Sequence, residues 1–414
     1  MEKVVIIGGG IIGLSSAYYL LKEGYDVTLI DKKDFKDGAS QVNAGLIVPS
    51  HIVPLSAPGM IEKGIKWMFD SSSPFYLKPR LNLPLMKWGY RFYRSATKEH
   101  VSKCVPILRD FNVFSKELYQ SLASELEFQL HGKGLLMLYR DAETEKEEIE
   151  TAHLANKSGV KAEILSAQEV HNLQGGLIED IRGGVYFPGD AHLNPSQVIQ
   201  SLYQAILKLG GRVVSKETVQ KIEWDSKGIR RVEGKSGAFY KADKFLFATG
   251  NWLPELTKQL GFSPLMQAGK GYSITKNQME DKLQIPCILA DESVAMTPIG
   301  DQMRVAGTME INGANERISK KRVQGICSAV EKYFPNYKME LPSSENIQWG
   351  FRPCTPDGLP YLGKLKSHQN VFISAGHAMM GMSLGPASGK LLAELISGKE
   401  LSLSIDAFNP NRFD

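Results

Sequence analysis

The stretch that decides the fold is KVVIIGGGIIG, which occupies residues 3–13. Its first five residues are almost entirely apolar, the pattern of a parallel strand buried on both faces. Glycines follow at once, and the next segment carries apolar residues along one stripe of a helix, at Leu14, Ala17, Tyr18 and Leu21. Gly24 can end that helix in the left-handed conformation, and a mostly apolar run over 25–30 ends on Asp31. Strand, glycine turn, helix and strand in this order predict a dinucleotide-binding βαβ unit.

Each motif glycine has a separate physical role in such a unit. Gly8 permits the tight turn, Gly10 lets the backbone approach a pyrophosphate, and Gly13 lets the helix pack closely against the strand. Ile11 and Ile12 would then present backbone N–H groups to the anion at the positive end of the helix dipole.

Asp31 lies 18 residues after Gly13. This is close to the spacing of about 20 at which a carboxylate accepts a hydrogen bond from an adenosine ribose. The same carboxylate would repel a 2′-phosphate, which disfavours NADP. Lys32 is expected to line the site beside it. The alternative, a glycine-rich loop without a ligand, is less favoured because strand, helix and acidic residue all agree with binding.

Length and composition indicate a globular protein of two domains. The 414 residues are 43% hydrophobic and 23% charged, and the net charge of +4 comes from scattered lysines, which argues against a nucleic-acid partner. The four cysteines form no C-x-x-C pair, so neither a zinc site nor a disulfide framework is expected, and a cytoplasmic location fits. With a sheet strand beginning at Lys3 we expect no signal peptide, and no apolar run is long enough to span a bilayer.

The sequence after Asp31 departs from the pattern of nicotinamide-dependent enzymes, which would continue into a second mononucleotide-binding half. Residues 38–46, GASQVNAGL, are instead small, polar and rich in glycine. This composition is typical of backbone that runs close to a ligand, and a plain surface loop has it too. Composition alone leaves both interpretations open.

A basic and aromatic segment occupies residues 60–100, where Trp67, Met68, Trp88 and Tyr93 alternate with lysines and arginines. Such a segment suits the surface of an anionic membrane, on whose inner face the protein would then be peripheral. It also suits helices that cover the dinucleotide-binding domain. We favour the helices because aromatic residues at helical spacing usually belong to a core.

Several blocks of sequence resemble the FAD-dependent D-amino-acid dehydrogenase family, within the D-amino-acid oxidase, glycine oxidase and sarcosine oxidase superfamily. They are the opening motif, GAS and NAG within 38–45, SAPG over 56–59, KGYS over 270–273, QWGFRPCTPDG over 348–358 and NVFISAGHAMMGMSL over 370–384. The resemblance covers nearly the whole chain. It implies an FAD cofactor and a small amino-acid substrate.

The resemblance also assigns cofactor-binding positions. The loop residues along the phosphates and the flavin ring are Ser40, Gln41, Asn43, Ala44, Gly45 and Leu46. Val219 matches a position that holds adenine through its backbone. A buried strand ends in the small residues Ala248, Thr249 and Gly250, followed by Trp252, where backbone can crowd the dinucleotide.

Near the C-terminus, a strand, a glycine turn and a helix start form the last predicted contact with the cofactor. In the superfamily this turn faces the pyrimidine edge of the flavin. Backbone donors at Gly381, Met382 and Ser383, together with the helix dipole, would stabilise the reduced ring.

Arg352 matches the superfamily arginine that binds the substrate carboxylate through two parallel hydrogen bonds, a task suited to a planar guanidinium. The alternative is a salt bridge to Asp357. Tyr272 would add a phenol donor to the same carboxylate, or else is an ordinary strand tyrosine. Cys354 does not match the flavin-linked cysteine of the sarcosine oxidases, so we expect non-covalent FAD.

The predicted fold is α/β, with an FAD-binding Rossmann-like domain of the two-dinucleotide-binding, glutathione-reductase type. A discontinuous substrate domain is built on an antiparallel sheet. We assign residues 1–90, 150–258 and 346–414 to the FAD-binding domain, and 91–149 and 259–345 to the substrate or cap domain.

The implied reaction is oxidative deamination. Arg352 holds a D-amino acid, either D-alanine-like or cyclic such as D-proline or 4-hydroxy-D-proline, with its Cα hydrogen toward flavin N5. Hydride transfer gives an imine that water hydrolyses to a 2-oxo acid, and no protein base is required. A quinone or another acceptor then takes the electrons. The alternatives are a glycine- or sarcosine-type amine oxidase that uses oxygen, an NAD-dependent dehydrogenase, and a non-catalytic FAD-binding protein.

Overall fold

The structure is a computed structural model that describes residues 1–35, 37–60, 62, 75–78, 80, 82–277 and 283–414. Trp67 and Met68 of the basic and aromatic segment lie outside the described residues.

A six-stranded sheet carries the predicted dinucleotide-binding unit. Its order is Arg212–Val214, Asp26–Ile30, Lys3–Ile7, Lys244–Phe247, Val371–Ala375 and Tyr361–Lys364. Neighbouring strands run parallel except for the last, which is antiparallel. Ile7 pairs with Ile30 on one side and with Phe247 on the other. These three strands therefore end together and bring the residues that follow them to one edge of the sheet.

Helices pack on this sheet through a shared buried cluster. They are Ile11–Lys22, Lys98–Glu125, Pro195–Lys208 and Gly385–Ser397. The first of them begins directly after the glycine turn, and Gly24 beyond its end has a φ of +85°. A Cβ on Gly389 would lie 2.5 Å from the backbone of Ser15, so the first and last helices are in close contact. This contact buries the first helix on more than the single predicted stripe.

Two small antiparallel sheets flank the six-stranded sheet in the described chain. One consists of Val219–Asp225, Gly228–Gly234 and Phe239–Tyr240, and the other of Leu46–Ile47, Ala191–Leu193 and Leu130–His131.

A mixed sheet with nine strands among the described residues forms the second layer. Its order is Gln348–Cys354, Gln267–Asn277, Gln302–Ile311, Val294–Ile299, Cys287–Leu289, Leu135–Tyr139, Gly183–Phe187 and Glu163–Ser166, and Phe75–Leu77 pairs with Gln302–Ile311. Helix Lys320–Tyr333 packs against it through a second buried cluster. Most pairs in this sheet are antiparallel, as predicted for the substrate domain.

The remaining described helices are shorter or lie at the periphery. They are Ala39–Val42, Leu83–Ser95, Ala142–Lys157, Ala167–Leu173 and Leu253–Thr257. The predicted fold class is confirmed, since a mostly parallel α/β sheet is joined to a larger antiparallel one.

The predicted domain boundaries stay a prediction, and one helix and two strands bear on them. Helix Lys98–Glu125, assigned to the substrate domain, packs in the buried cluster of the six-stranded sheet. Strands Glu163–Ser166 and Gly183–Phe187, assigned to the FAD-binding domain, pair within the nine-stranded sheet. Sequence order could not reveal that these elements pack with the other domain, because the strands and helices that they contact are distant in the chain.

Helix Leu83–Ser95 occupies part of the basic and aromatic segment. Asn82 caps it by accepting a hydrogen bond from the Leu85 N–H at 2.8 Å. Leu85 and Trp88 face inward, and Trp88 Nε1 donates to the Cys354 carbonyl at 2.9 Å. Within the described ranges, no helix combines the length and the apolar character that crossing a membrane requires.

Candidate functional site

A cavity of about 1310 Å³ is lined by residues of both large sheets. Ordinary small-molecule sites measure roughly 300–1,000 Å³, so this one has room for a large ligand and a second, smaller one. All the predicted cofactor-binding residues except Gly13 line it, and so do Arg352 and Tyr272. The carboxyl edge of the six-stranded sheet forms one wall, the position at which α/β sheets bind ligands.

The glycine turn is shaped by close contacts. A Cβ on Gly8 would lie 2.4 Å from the Ala248 carbonyl oxygen, and one on Gly13 would lie 1.8 Å from that of Gly8. Gly13 therefore serves helix packing, which is why it lies outside the cavity wall. Ser40 Oγ accepts a hydrogen bond from the Ile11 N–H at 3.0 Å and marks the start of the helix as a site for a hydrogen-bond acceptor.

Asp31 is half-buried and organises the turn. One carboxylate oxygen accepts from the Gly9 N–H at 2.6 Å and the other from the Lys33 N–H at 2.7 Å. Burial raises the pKa of Asp31, and these two N–H groups act to lower it. Each carboxylate oxygen has two lone pairs, so Asp31 can still accept from a ligand hydroxyl. The neighbouring Lys32 ammonium lies 3.2 Å from the centre of the Trp252 ring.

The side chains of loop 38–46 fold the loop itself. Asn43 Nδ2 donates to the Ser40 carbonyl at 2.7 Å, and its Oδ1 accepts from the Gly45 N–H at 2.8 Å. Gln41 Nε2 donates to the Phe35 carbonyl at 2.6 Å. Because these side chains are used internally, they fix the shape of the backbone that lines the cavity.

Arg304 ties this loop to the nine-stranded sheet, a role that sequence analysis missed. Its Nη1 donates to the carbonyls of Gln41 and Asn43 at 2.9 and 3.0 Å, and its Nε donates to Thr275 Oγ1 at 3.2 Å. The side chain is buried, and burial lowers its pKa. No local motif signals this contact, since Arg304 and the loop are more than 250 residues apart.

The turn after strand Val371–Ala375 is held from three directions. Ser383 Oγ accepts from the Val48 N–H at 3.1 Å and donates to Asn112 Oδ1 at 2.9 Å. Tyr119 donates to the Met382 carbonyl at 2.7 Å. These bonds fix the predicted pyrimidine-facing turn, and its backbone donors remain a prediction.

Arg352 lies on the edge strand Gln348–Cys354 with its guanidinium toward the neighbouring strand. Its Nη1 donates to the carbonyl of Thr308, a residue with a φ of +72°. Thr308 belongs to strand Gln302–Ile311, which contains one extra residue at this point: Lys270 of strand Gln267–Asn277 pairs with Glu310, whereas Tyr272 pairs with Gly307. Such a bulge redirects backbone groups, and in this case it turns a carbonyl toward the arginine.

The alternative partner of Arg352 is occupied elsewhere. Asp357 accepts from Arg412 Nε at 2.7 Å and from Arg412 Nη2 at 3.0 Å. Across the described ranges no carboxylate lies within ion-pair distance of Arg352, and burial lowers its pKa. A guanidinium in the wall of a cavity without a carboxylate of its own is suited to bind an anionic ligand.

Tyr272 differs from its predicted role. Gly271 faces Arg352, and successive side chains of a strand point to opposite faces, so the Tyr272 side chain points away from Arg352. Its hydroxyl donates to Glu310 Oε1 at 3.1 Å and accepts from the Ser319 N–H at 3.0 Å. In this arrangement the phenol serves a buried network with Glu310 and is not presented to a substrate carboxylate.

The sequence comparisons agree with this geometry. The sequence model of the family described as FAD dependent oxidoreductase (DAO) matches residues 3–395. The chain belongs to the DAO family of FAD-dependent oxidoreductases. Its cofactor is therefore FAD, as the resemblance implied.

Curated relatives and solved structures match 95% or more of the chain. It is 32% identical to a D-amino acid dehydrogenase of Helicobacter pylori over 95% of this chain and 94% of that one. It is 31% identical to a D-amino acid dehydrogenase of Vibrio atlanticus over 99% of this chain and 100% of that one. Among solved structures it is similar to glycine oxidase from Geobacillus kaustophilus, with a TM-score of 0.80, 22% identity and 100% of both chains covered. L-proline dehydrogenase from P. horikoshii gives a TM-score of 0.75 at 20% identity, covering 100% of this chain and 97% of that one.

The residues present fit the DAO-family cofactor. The Thr249 and Ser374 hydroxyls line the cavity, are buried, and have no hydrogen-bond partner in the part of the chain that the structure describes. Buried hydroxyls without partners are costly, and a polar ligand would satisfy them. The glycine turn, Asp31 and loop 38–46 surround the same cavity. These groups would hold the dinucleotide, and FAD would supply the acceptor for two electrons.

Proposed function

We propose that this protein is an FAD-dependent D-amino acid dehydrogenase that oxidatively deaminates a small D-amino acid, either D-alanine-like or cyclic such as D-proline or 4-hydroxy-D-proline. The preference for the D-enantiomer rests on the curated relatives, because the structural neighbours include a glycine oxidase and an L-proline dehydrogenase. The observation that carries the proposal is Arg352, a cavity-lining guanidinium with no acidic partner in the described part of the chain.

Arg352 binds the substrate carboxylate. The guanidinium is held from behind by the Thr308 carbonyl, which leaves its other N–H groups for a ligand. Two parallel hydrogen bonds to the carboxylate fix the direction of the Cα–H bond as well as the position of the molecule. FAD, when bound, would supply the acceptor for the two electrons released at Cα. Water would hydrolyse the resulting imine, to a 2-oxo acid and ammonia from a D-alanine-like substrate and to an amino 2-oxo acid from a cyclic one.

The walls around Arg352 favour a small apolar side chain. Strand Gln302–Ile311, the second strand from that of Arg352, contributes the apolar residues Ala306 and Met309 to the cavity, and Ile347 adds to them just before strand Gln348–Cys354. These groups exclude water from the reacting carbon, which strengthens the hydrogen bonds that Arg352 makes.

An anaerobic titration of the purified holoenzyme tests the proposal. D-alanine, D-proline and 4-hydroxy-D-proline are added in turn, with each L-enantiomer as the matched control, and the flavin absorbance is followed. We expect bleaching by at least one D-enantiomer. Bleaching by L-enantiomers alone, or by no amino acid, would contradict the proposal.

Arg352→Lys tests the residue that carries the proposal. A point charge replaces a planar fork, so about one charged hydrogen bond is lost and the apparent Kd for the amino acid rises about tenfold to a hundredfold. Arg230→Lys is the control, because the Arg230 side chain is 73% exposed. An unchanged Kd in Arg352→Lys would remove the assigned role.

We further propose that a quinone, rather than oxygen, takes the electrons. Support comes from the relatives' designation as dehydrogenases. Turnover with a soluble quinone analogue, measured beside hydrogen peroxide production in air, separates the two acceptors. Peroxide formation at a rate equal to quinone reduction would favour the amine oxidase alternative.

Helix Leu83–Ser95 supports a peripheral contact with an anionic membrane. Its outer face exposes Leu83, Met86, Tyr90 and Tyr93, with exposed fractions of 62%, 60%, 59% and 66%. Three basic residues and no acidic ones accompany them in the helix. Apolar and cationic side chains on one helix are typical of interfacial binding. We expect the protein to co-sediment with phosphatidylglycerol vesicles and not with neutral vesicles. The double substitution Tyr90→Ser/Tyr93→Ser should abolish this co-sedimentation. Co-sedimentation that the double substitution leaves unchanged would show that this helix does not make the contact.

A further inference from the structure

Three side chains form a hydrogen-bonded chain from the protein interior to the cavity. Asp190 is completely buried in the turn between strands Gly183–Phe187 and Ala191–Leu193. Its Oδ1 accepts from the Ser50 N–H at 3.0 Å, and its Oδ2 accepts from Ser50 Oγ at 2.5 Å. Ser50 Oγ also lies 3.1 Å from His51 Nδ1. His51 is half-buried and lines the cavity that holds Arg352.

The hydrogen bonds of this chain have a direction. An ionised carboxylate only accepts hydrogen bonds, so the Ser50 hydroxyl donates to Asp190 and its oxygen accepts the proton on His51 Nδ1. A neutral imidazole with its proton on Nδ1 has an unprotonated Nε2. Among the described residues Nε2 has no hydrogen-bond partner. The chain therefore leaves a proton acceptor at the cavity end.

The charges around the chain favour movement of a proton toward Asp190. Burial raises the pKa of Asp190 to about 7, although Ser50 and the more distant Lys116 act to lower it. Burial lowers the pKa of His51 to about 4, and within the described chain no charged group adds to this shift. Lys116 is directed to the Gly189 carbonyl at 2.7 Å, so it does not neutralise Asp190 directly. The His51 imidazole therefore transfers a proton onward and does not retain it, whereas the Asp190 carboxylate can retain the proton.

We propose that His51 is the proton acceptor for the ammonium group of the amino acid bound by Arg352, with Ser50 and Asp190 as the relay that takes the proton away. The proposal rests on the proposed function. An N–H bond of the ammonium group breaks, its electron pair stays on nitrogen, and the proton binds Nε2. The Nδ1 proton moves to Ser50 Oγ while the Ser50 proton moves to Asp190 Oδ2. The free amine then has the lone pair that allows Cα to release a hydride, and no further reactant is needed.

This inference replaces the expectation that no protein base is required. His51 could not be singled out from the sequence, because no motif surrounds it and Asp190 is 139 positions away. Distances and hydrogen bonding in the folded chain identify the group.

The test measures anaerobic flavin bleaching by a saturating D-amino acid between about pH 6 and about pH 10, in holoenzyme and variants. The variants are His51→Gln and Asp190→Asn, with His153→Gln on the exposed face of helix Ala142–Lys157 as the control. We expect His51→Gln to bleach about a hundredfold or more slowly near neutral pH, and to recover as the pH rises and the free amine becomes abundant. Asp190→Asn should show a smaller loss with the same alkaline recovery.

The wild-type protein gives a second measurement that depends on no variant. With a protein base, its bleaching rate is nearly level from neutral to alkaline pH. Without one, the rate rises about tenfold per pH unit below the pKa of the free amino group. That rise in the wild type, or an unchanged rate profile in His51→Gln with FAD bound, overturns the proton acceptor alone. A wild-type protein that no amino acid bleaches overturns the proposed function, and the proton acceptor with it.

Discussion

Gly271 and Arg352 lie on neighbouring strands, and the Arg352 guanidinium fills the space that a side chain at position 271 would need: a Cβ on Gly271 would lie 2.6 Å from the guanidinium carbon of Arg352. The register pairs Gly271 with Gly350 and Arg352 with Gly269, so the two residues are diagonal neighbours on one face of the sheet. Only glycine at position 271 leaves room for the guanidinium in the cavity wall. The glycine of the KGYS block therefore positions the arginine of the QWGFRPCTPDG block.

Gly271→Ala should weaken substrate binding. The added methyl displaces the guanidinium at a cost of about 1–3 kcal/mol, which corresponds to a roughly tenfold to hundredfold lower kcat/KM. FAD content should stay unchanged, because the substitution lies at the substrate end of the cavity. Gly132→Ala is the control, since nothing lies within 4 Å of a Cβ there. Equal kcat/KM values for wild type and Gly271→Ala would refute the steric argument.

Arg304→Met should weaken FAD binding. It removes two charged hydrogen bonds to the carbonyls of Gln41 and Asn43, which hold the loop at the cofactor. At about 1.5–3 kcal/mol for a hydrogen bond to a charged group, the Kd for FAD should rise at least about tenfold. Fluorescence of released FAD during dilution measures this. Arg230→Met should behave as wild type, and FAD retention in Arg304→Met equal to that control would count against the loop as a cofactor contact.

Thr249→Val tests whether a polar ligand satisfies the buried hydroxyl. If FAD bonds to Thr249 Oγ1, the isosteric substitution removes a hydrogen bond worth about 0.5–1.5 kcal/mol and raises the Kd for FAD about threefold to tenfold. Without such a bond, removing an unpaired buried hydroxyl should stabilise the apoprotein instead and leave the Kd unaltered. Thr151→Val, in helix Ala142–Lys157, controls for general effects on stability. The two quantities are measured by flavin titration and by thermal unfolding of the apoprotein.

FAD should be released quantitatively when the protein is denatured with acid. Burial raises the pKa of the Cys354 thiol to about 12, and its Sγ lies 3.7 Å from Met309 Sδ in an apolar cluster. A thiol in these surroundings is rarely ionised and is a poor nucleophile. Cys354→Ser and the control Cys327→Ser should both release all their flavin to the supernatant. Flavin that stays with the wild-type pellet and leaves with Cys354→Ser would establish a covalent bond.

The sequence by itself determined the local units. The apolar run 3–7, the glycines and Asp31 follow each other closely, so strand, turn, helix and strand could be identified from periodicity and spacing. Arg352 and the cofactor loop also came from short blocks that resemble a family, and the family is confirmed. These features depend on neighbours along the chain, which a sequence displays directly.

Only the tertiary structure decided which distant groups meet. The direction of the Tyr272 side chain depends on strand alternation, and the bulge at Thr308 sets the neighbouring register, where a difference of one residue exchanges the two faces of a strand. Residues far apart in sequence are joined in three places: the Asp357–Arg412 ion pair, the hydrogen bonds from Arg304 to loop 38–46, and the hydrogen-bonded chain from Asp190 to His51. Composition carries no information about such pairs because packing of whole sheets and helices brings them together.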